Sequence, residues 1–384
     1  MYKATWGMIA IAGLGLTLTS CNSQPQSKTT ASGLDPEKFV AEYQGKPTAL
    51  YTLKNSNGME VCVTNFGGRI VSIMAPDREG SMHDVVLGFD SVQAYFPENN
   101  QTDFGASIGR YANRLNQGRI VIEGDTIQLP QNNFGHCLHG GPSGWQYKVY
   151  DAKQLNDSTL TLTIDSPDGD NNFPGNVKAE VTYSLLSDNS IDIRYKATTD
   201  KPTVVNMTNH SYFNLNGNPE EPITNNILTI NASRFTPVDS TYMTTGEILE
   251  VAGTPMDFTT AKEVGADITK VDYEQVKFGN GYDHNWVLDT NGDDTQVAAT
   301  LYSPTTGIKL EVLTNEPGIQ VYSGNFLDGT VTGKHGITYQ QRSGICLETQ
   351  KYPDSPNKPE WPSAYLNPGE TYESHCIFRF STAE

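Results

Sequence analysis

The sequence predicts an all-β protein built as a large antiparallel β-sandwich. Apolar and polar residues alternate along several runs, and residue pairs typical of tight turns fall between the runs. Helical periodicity is nearly absent, apart from a short stretch over 92–96. A period of two places successive side chains on opposite faces, so each run is predicted to be a strand with one buried face. Closely spaced strands joined by turns favour antiparallel neighbours and a sandwich.

The alternating runs cover residues 160–164, 177–185, 191–197 and 308–312. The turn pairs are Asn57-Gly58, Asp168-Gly169, Asp188-Asn189, Asn291-Gly292 and Thr306-Gly307. No crossover helices separate the runs, and the chain has neither a glycine-rich dinucleotide fingerprint nor a P-loop. These features argue against a doubly wound nucleotide-binding fold.

The first twenty residues are predicted to be a signal peptide rather than part of the fold. Lys3 precedes an apolar stretch from Met8 to Leu18, and the segment Leu18-Thr19-Ser20-Cys21 follows. This arrangement resembles a bacterial lipoprotein signal, in which Cys21 becomes the lipid-bearing amino terminus. The alternative is a plain secretory signal with an unrelated cysteine, since the stretch is too short for a stable membrane span. Both interpretations predict an exported protein, and the first predicts a lipoprotein anchored to a bacterial membrane, facing the periplasm or cell surface.

Residues 21–45 are predicted to be a polar tether, with one possible short helix near its end. The segment after Cys21 is polar and lacks apolar periodicity, which is typical of a flexible linker. Asp35 followed by Pro36 is a helix-start signal, so a short helix is expected to run toward Tyr43. Residues 46–384 show no composition break and are predicted to form one catalytic domain.

The chain is acidic, with a formal net charge of −18. This charge disfavours nucleic acid and anionic membrane surfaces as partners, so membrane contact is expected only through a lipid at Cys21. The remaining four cysteines form no C-x-x-C pair, and we expect buried thiols although disulfides stay open: Cys62, Cys137, Cys346 and Cys376. Oligomeric state is not predicted.

Two residues offer proton-transfer chemistry in contexts that suit a sugar pocket. Glu348 and His210 both lie in segments rich in aromatic and amide side chains. A carboxylate and an imidazole are the side chains best suited to moving protons near neutral pH. Their presence favours an enzyme that acts on carbohydrate.

Two loops add candidate binding groups. Asn113 and Arg114 are adjacent, and an amide beside a guanidinium can hold two neighbouring sugar hydroxyls, although the segment could equally be a surface turn. His136 and His139 precede the pair Gly140-Gly141, where the backbone could approach a ligand. A zinc-binding loop is the alternative there, but its ligand spacing is weak.

Two strand-like segments carry the remaining candidates. Asp283 lies among aromatic residues at the start of an alternating run, and Gln320 lies inside a run that ends in glycine. A lone polar residue of this kind is more often the solvent-facing member of a strand.

In this order, these segments strongly resemble the galactose mutarotase (aldose 1-epimerase) family, from about Tyr51 to Phe380. The motifs that carry the resemblance are G-R-x-A-N-R, L-H-G-G, N-H-S-Y-F-N-L, D-H-N-W, P-G-I-Q-V-Y-S-G-N-F and E-T-Q-K-Y-P-D-S-P-N. The resemblance implies a galactose mutarotase-like super-sandwich whose cleft interconverts the α and β anomers of aldohexoses such as glucose and galactose. It implies no cofactor and no metal.

The resemblance also implies a role for each matching position. Glu348 falls on the family's general base, His210 on its general acid, and Asn113 with Arg114 on the pair that binds sugar hydroxyls. The other binding positions are His139, Tyr212, Asp283 and Gln320.

Anomer exchange requires a matched acid and base, because the C1 hydroxyl loses a proton while the ring oxygen gains one. A free glutamate is a weaker base than a free histidine. We therefore predict that burial raises the pKa of Glu348, and that Asp283 or a neighbouring carboxylate keeps His210 charged. Two alternatives stay open: a non-catalytic sugar-binding lipoprotein, and a glycoside hydrolase using Glu348 and Asp283 as its two carboxylates.

Overall fold

The computed structural model describes Met1 and residues 29–383. In this part of the chain, the strands are β1 (Ala41–Tyr43), β2 (Lys46–Thr48), β3 (Leu50–Lys54), β4 (Glu60–Thr64), β5 (Arg69–Pro76), β6 (Met82–Asp84), β7 (Ala106–Ile108), β8 (Arg114–Leu115), β9 (Arg119–Ile122), β10 (Asp125–Gln128), β11 (Cys137–Leu138), β12 (Asp151–Asn156), β13 (Thr159–Ser166), β14 (Val177–Leu185), β15 (Ser190–Thr199), β16 (Thr203–Val204), β17 (Thr208–His210), β18 (Tyr212–Phe213), β19 (Ile227–Ile230), β20 (Arg234–Thr236), β21 (Leu249–Glu250), β22 (Lys262–Glu263), β23 (Asp283–Val287), β24 (Val297–Tyr302), β25 (Ile308–Thr314), β26 (Gly318–Tyr322), β27 (Ile345–Gln350), β28 (Tyr365–Leu366) and β29 (Tyr372–Thr382).

Helical structure is short throughout the described residues. The α-helix is α1 (Glu274–Gly279), and the 3₁₀ helices are Pro36–Phe39, Gln93–Tyr95, Asn116–Gly118, Trp145–Tyr147, Asp170–Asn172, Ile223–Asn225, Val264–Ala266, Lys334–Gly336 and Ser355–Asn357. None of the described helices is long and apolar enough to cross a membrane.

Three antiparallel sheets form the body. The nine-stranded sheet has the order β12-β13-β14-β15-β29-β25-β24-β19-β22, the six-stranded sheet β18-β27-β26-β23-β20-β21, and the four-stranded sheet β3-β4-β5-β6. The alternating runs predicted as strands lie in β13, β14, β15 and β25, so the all-β antiparallel prediction is confirmed.

The nine-stranded and six-stranded sheets pack face to face. The ring centroid of Phe213 on β18 lies 5.0 Å from that of Phe378 and 6.4 Å from that of Phe380, both on β29. All three rings are buried in one continuous apolar core. Burying an aromatic side chain of this size contributes about 1.5–3 kcal/mol, so this layer is a main source of stability.

The central strands of the six-stranded sheet are buried on both faces. In β26, Ile319 and Val321 belong to the apolar core, while Gln320 and Tyr322 alternate with them and face the other way. Gln320 is only 3% exposed, so it is not a solvent-facing strand residue. Other segments of the chain therefore cover this face of the sheet.

The amino-terminal segment packs on this body. Asp35 Oδ1 accepts a hydrogen bond from the Glu37 backbone N–H at 3.0 Å, as the predicted start signal requires. The helix ends at Phe39 rather than Tyr43, because residues 41–43 pair with β2 as a hairpin. Leu34 and Phe39 are buried. The predicted signal peptide and Cys21 lie outside the described residues.

The four cysteines of the body are free and buried, which confirms the expectation of buried thiols: Cys62, Cys137, Cys346 and Cys376.

Candidate active site

A cavity of about 430 Å³ lies against the polar face of the six-stranded sheet. This volume is typical of sites for small molecules. Seven of the residues predicted from the sequence line it: Asn113, Arg114, His139, His210, Tyr212, Asp283 and Glu348. Segments that are distant in the sequence therefore meet around one space.

The sheet places three of the polar side chains. Glu348 on β27 is the direct cross-strand partner of Gln320 on β26, and Asp283 on β23 is the partner of Tyr322. Neighbours in adjacent strands point to the same face, so these groups converge on the cavity. Gln320 does not line it. Its Nε2 atom donates a hydrogen bond to Asp283 Oδ1 at 2.8 Å, which places Gln320 behind Asp283.

His210 enters from a separate two-stranded sheet, in which it pairs with Ala106 of β7. Its Nε2 atom lies 3.4 Å from Glu348 Oε1, and both side chains are nearly inaccessible to solvent. The imidazole stacks on Tyr212 with ring centroids 5.2 Å apart, and Nδ1 lies 3.5 Å from the Cys346 sulfur. The ring is thus fixed on two sides while Nε2 faces the carboxylate.

Burial shifts the proton affinities of this pair in opposite directions. It raises the pKa of Glu348 well above the usual value, and the negative charges of Asp283 and Asp103 add to the effect. It lowers the pKa of His210 below 6.5, against the opposing charges of Asp103 and Asp283. The prediction for Glu348 is confirmed in direction. The prediction that a carboxylate keeps His210 charged is wrong, because the loss of hydration outweighs the nearby charges.

His139 is held as a neutral hydrogen-bond donor. The Asn113 backbone N–H donates to His139 Nδ1 at 3.1 Å, so Nε2 carries the proton of the neutral ring. Burial lowers the pKa of His139 to about 3, which keeps the ring neutral at physiological pH. Its ring packs edge-on to that of His210 with centroids 5.1 Å apart.

The glycine after His139 serves a backbone contact rather than a ligand contact. Gly140 has a φ of +79°, and a Cβ there would lie 2.3 Å from the carbonyl oxygen of Gly109. The His139 N–H also donates to the Asn113 carbonyl at 3.0 Å. Close packing of these two loops brings Asn113 and His139 together, which differs from the predicted approach of backbone to ligand.

Arg114 is buried beside the acidic groups. Its Nε donates to Asn133 Oδ1 at 3.0 Å, and its guanidinium lies 5.1 Å from the ring centroid of Tyr242. Burial lowers the pKa of Arg114, while Asp283 and Glu348 oppose that shift. The surface-turn interpretation of this segment is therefore wrong. Arg114 supplies a positive charge facing two carboxylates.

Several residues that line the cavity were not predicted from the sequence. Asp103 lies in the polar run 99–103, which has the composition of an ordinary surface loop. Phe134 and Phe326 also line the cavity and are 56% and 51% exposed, so they form part of its rim. The pair Phe134-Gly135 was the available signal, and it is weak because such pairs are common in turns.

Two groups of side chains in the described residues lie close enough to hold a metal ion: Asp103 with His139 and His210, and His210 with Cys346 and Glu348. Their chemistry does not suit one. His139 Nε2 carries the ring proton, because Nδ1 accepts a hydrogen bond from the Asn113 N–H. Burial raises the pKa of the Cys346 thiol well above its usual value, so the thiol keeps its proton. Metal ligands must be deprotonated. His136 is also occupied elsewhere, since Nδ1 accepts from the Gln117 N–H at 3.0 Å and Nε2 lies 2.8 Å from Thr241 Oγ1.

Comparison with known proteins bears on this arrangement. Residues 49–379 match the family model described as aldose 1-epimerase. The chain is 40% identical over 339 residues to the aldose 1-epimerase of Escherichia coli K12, covering 88% of this chain and 96% of that protein. It is 39% identical over 328 residues to human galactose mutarotase, covering 85% and 93% of the two chains.

Solved structures agree with this match. The crystal structure of the GalM/aldose epimerase homologue from C. elegans superposes with a TM-score of 0.79 at 28% identity, covering 88% of this chain and 100% of the other. The galactose 1-epimerase from Lactobacillus acidophilus gives a TM-score of 0.78 at 30% identity, covering 90% and 97%. The chain belongs to the aldose 1-epimerase family.

Proposed function

We propose that this protein is an aldose 1-epimerase that interconverts the α and β anomers of aldohexoses such as glucose and galactose. The observation that carries the proposal is the 3.4 Å separation of Glu348 Oε1 and His210 Nε2 inside the cavity. The hydroxyl oxygen O1 and the ring oxygen O5 of a pyranose are both bonded to C1. A base for one and an acid for the other must therefore be neighbours.

The reaction proceeds by ring opening and reclosure. Glu348 accepts the proton of the C1 hydroxyl while His210 donates a proton to O5, the C1–O5 bond breaks, and an open-chain aldehyde forms. Rotation about C1–C2 presents the other face of the carbonyl. Reclosure returns both protons, so the enzyme ends in its starting protonation state.

The opposite pKa shifts support this shuttle. Burial raises the proton affinity of Glu348 and lowers that of His210, so each shift is directed toward the ordinary proton affinity of the other group. If the acid and base had very different proton affinities, the proton transfers of ring opening would be favoured over those of reclosure, or the reverse. Acid and base groups with similar proton affinities keep the two sets of transfers close to balanced. The same pair can then serve opening and reclosure.

The other predicted residues hold the sugar. Arg114 and Asn113 offer donors, Asp283 offers acceptors, and His139 offers one N–H. Gln320 acts through Asp283, which it orients by its hydrogen bond. Tyr212 supports the His210 ring by stacking. Each hydrogen bond to an uncharged hydroxyl contributes about 0.5–1.5 kcal/mol, so several are needed to retain a hydrated sugar.

Polarimetry on freshly dissolved α-D-glucose and α-D-galactose tests the proposal. The protein should accelerate the approach to anomeric equilibrium in proportion to its concentration. No acceleration over buffer, combined with measurable sugar binding, would instead favour the sugar-binding alternative. Release of reducing sugar from an aryl glycoside would favour the hydrolase alternative.

We further propose that the protein is an exported lipoprotein, anchored to a bacterial membrane through a lipid on Cys21. The basic start, the apolar stretch and the segment ending in Cys21 support this. In the native host, Cys21→Ala should block lipidation and move the enzyme from the membrane to the soluble fraction. An unchanged membrane fraction would contradict the anchor.

A further inference from the structure

Asp103 lines the cavity but takes no part in the proposed reaction. Its Oδ1 atom is buried and has no hydrogen-bond partner within the described part of the protein. A buried carboxylate oxygen without a donor is costly, so such an atom is expected to gain a donor when a ligand binds. Asp103 is therefore equipped to accept a hydrogen bond from a sugar hydroxyl.

The backbone fixes Asp103 beside the acid. The Gly105 N–H donates to the His210 carbonyl at 3.0 Å, and the Ala106 N–H donates to the Asp103 carbonyl at 3.0 Å. One carboxylate oxygen of Asp103 and one ring nitrogen each of His139 and His210 lie within 4.8 Å of one another. Glu348 belongs to a different group, with His210 and Cys346. His210 thus has Glu348 as one neighbour and Asp103 as another.

The proposed function then determines which part of the sugar Asp103 faces. With O1 at Glu348 and O5 at His210, C1 lies on the Glu348 side of the ring oxygen. The other carbon bonded to O5 is C5, which carries the C6 hydroxymethyl group in an aldohexose. Asp103 is grouped with His210 but not with Glu348, so Asp103 is the carboxylate placed to meet the substituent on C5.

We propose that Asp103 is a specificity-determining residue that accepts a hydrogen bond from the 6-hydroxyl group of aldohexoses. This inference rests on the proposed function, since it uses the placement of O1 and O5. The negative charge of Asp103 also disfavours a 6-phosphate at the same position, because two anions would be brought together in a buried site. The site thereby selects uncharged hexoses over 6-deoxy sugars, pentoses and hexose 6-phosphates.

The test compares D-galactose with D-fucose, which is D-galactose with hydrogen in place of the 6-hydroxyl group. The measured quantity is the ratio of kcat/KM for galactose to kcat/KM for D-fucose. A hydrogen bond to a charged group corresponds to about tenfold or more, so the unmodified protein should show a ratio of that size. Asp103→Ala should bring the ratio to within about twofold of unity. Asp103→Asn should give an intermediate ratio, because its amide oxygen remains an acceptor.

Using the ratio separates substrate recognition from effects on His210. Removing the Asp103 charge also changes the proton affinity of His210, and that change lowers or raises activity toward both sugars alike. A galactose to D-fucose ratio that stays the same in Asp103→Ala would overturn the proposal. If the unmodified protein accelerates mutarotation of neither sugar, the proposed function itself fails instead.

Glu98→Gln is a matched control, because Glu98 is an exposed carboxylate in the segment just before Asp103. It should leave the ratio unchanged, and thermal unfolding should show that all variants are folded. As a second readout, glucose and glucose 6-phosphate are compared as competitors of galactose mutarotation. The inhibition constant of glucose 6-phosphate should be about tenfold higher than that of glucose for the unmodified protein. Asp103→Asn should reduce this difference between the two inhibition constants. Equal binding of glucose and its 6-phosphate by the unmodified protein would contradict the placement of Asp103 beside O6.

Discussion

Glu348 lies directly opposite Gln320 on paired central strands, and Gln320 donates a hydrogen bond to Asp283 on the next strand. The proposed base on β27 and the Asp283 acceptor on β23 are therefore held on the two strands that flank β26 in one rigid sheet. Sites built on strands keep their geometry better than sites built on loops. Because Glu348 Oε2 is buried and has no hydrogen-bond partner among residues 29–383, the carboxylate also has an atom available to substrate.

Replacing Glu348 by glutamine should abolish most of the activity while preserving sugar binding. Glutamine has nearly the same shape but cannot accept the C1 hydroxyl proton, so kcat should fall by about 10²–10⁴-fold. Polarimetry measures the rate, and an NMR titration with galactose measures binding. The variant should be at least as stable as the unmodified protein, because a buried ionisable group is removed. Retention of more than a tenth of the activity would contradict the assigned role.

Replacing Arg114 by alanine should chiefly weaken substrate binding. The guanidinium is buried over Tyr242 and faces the cavity, so its loss removes donors that hold the sugar rather than the proton shuttle. Loss of one charged donor corresponds to about tenfold or more in KM, with a smaller effect on kcat. Arg119→Ala is the control, since Arg119 is exposed and does not line the cavity. A fall in kcat with unchanged KM would assign Arg114 to the chemistry instead.

Replacing Asp283 by asparagine should move the pH profile of kcat/KM to lower pH. The base works when Glu348 is ionised, so activity falls as the pH drops through the raised pKa of Glu348. The acid works when His210 is protonated, so activity falls as the pH rises through the lowered pKa of His210. The Asp283 charge raises the pKa of both groups. Removing the Asp283 charge should lower both pKa values. The acidic and basic limbs of the pH profile should therefore both shift to lower pH, because they report the coupled pair.

The measurement is kcat/KM for galactose between about pH 4 and 9, corrected for the spontaneous reaction. Asp272→Asn provides the control, because Asp272 is exposed and does not line the cavity. A shift of only one limb would show that Asp283 acts on one partner alone. A flat profile in the unmodified protein would contradict the acid and base pair.

The strands and the proposed shuttle were open to prediction because their signals are local. Period-two alternation depends only on which side chains face the core, so β14 and β15 could be predicted with their turn. Glu348 and His210 could be predicted because their chemistry and motifs are carried by the residues themselves. The strand pairing that brings Gln320 opposite Glu348 is non-local, and only the folded chain reveals it.

The pKa of His210 and the role of Asp103 could not be predicted for the same physical reason. The pKa of His210 depends on a balance between lost hydration and charges contributed by distant segments, and the role of Asp103 depends on which distant side chains the fold brings beside it. The sequence shows that carboxylates are present but not that burial outweighs them. Asp103 occurs in a polar run without periodicity, so nothing local distinguishes it from a solvated loop residue.

His375 should make the stability of the protein depend on pH at a site remote from the cavity. Its Nδ1 atom lies 2.7 Å from Asp294 Oδ2, and its Nε2 atom lies 3.0 Å from Asp192 Oδ2. The hydrogen bond to Asp192 raises the pKa of His375 above 6.5, and the bond to Asp294 adds to it, against the opposing effect of burial. This contribution is fully present below about pH 6.5 and is lost as the pH rises through the higher pKa of the folded state.

The pKa of Asp192 sets the lower end of the pH range over which the His375–Asp192 pair stabilises the protein. Burial by itself would raise the pKa of Asp192, but the hydrogen bonds and charges of His375 and Arg194 together outweigh burial, so its pKa is lowered. Its contribution is present above about pH 3.9 and is lost as the pH falls through the lower pKa of the folded state. His375→Gln should therefore lower Tm most near pH 5.5 and much less near pH 8.5, as measured by thermal unfolding at the two pH values. An equal loss of Tm at both pH values would show that His375 stabilises the sheet by packing alone, with no part for its charge.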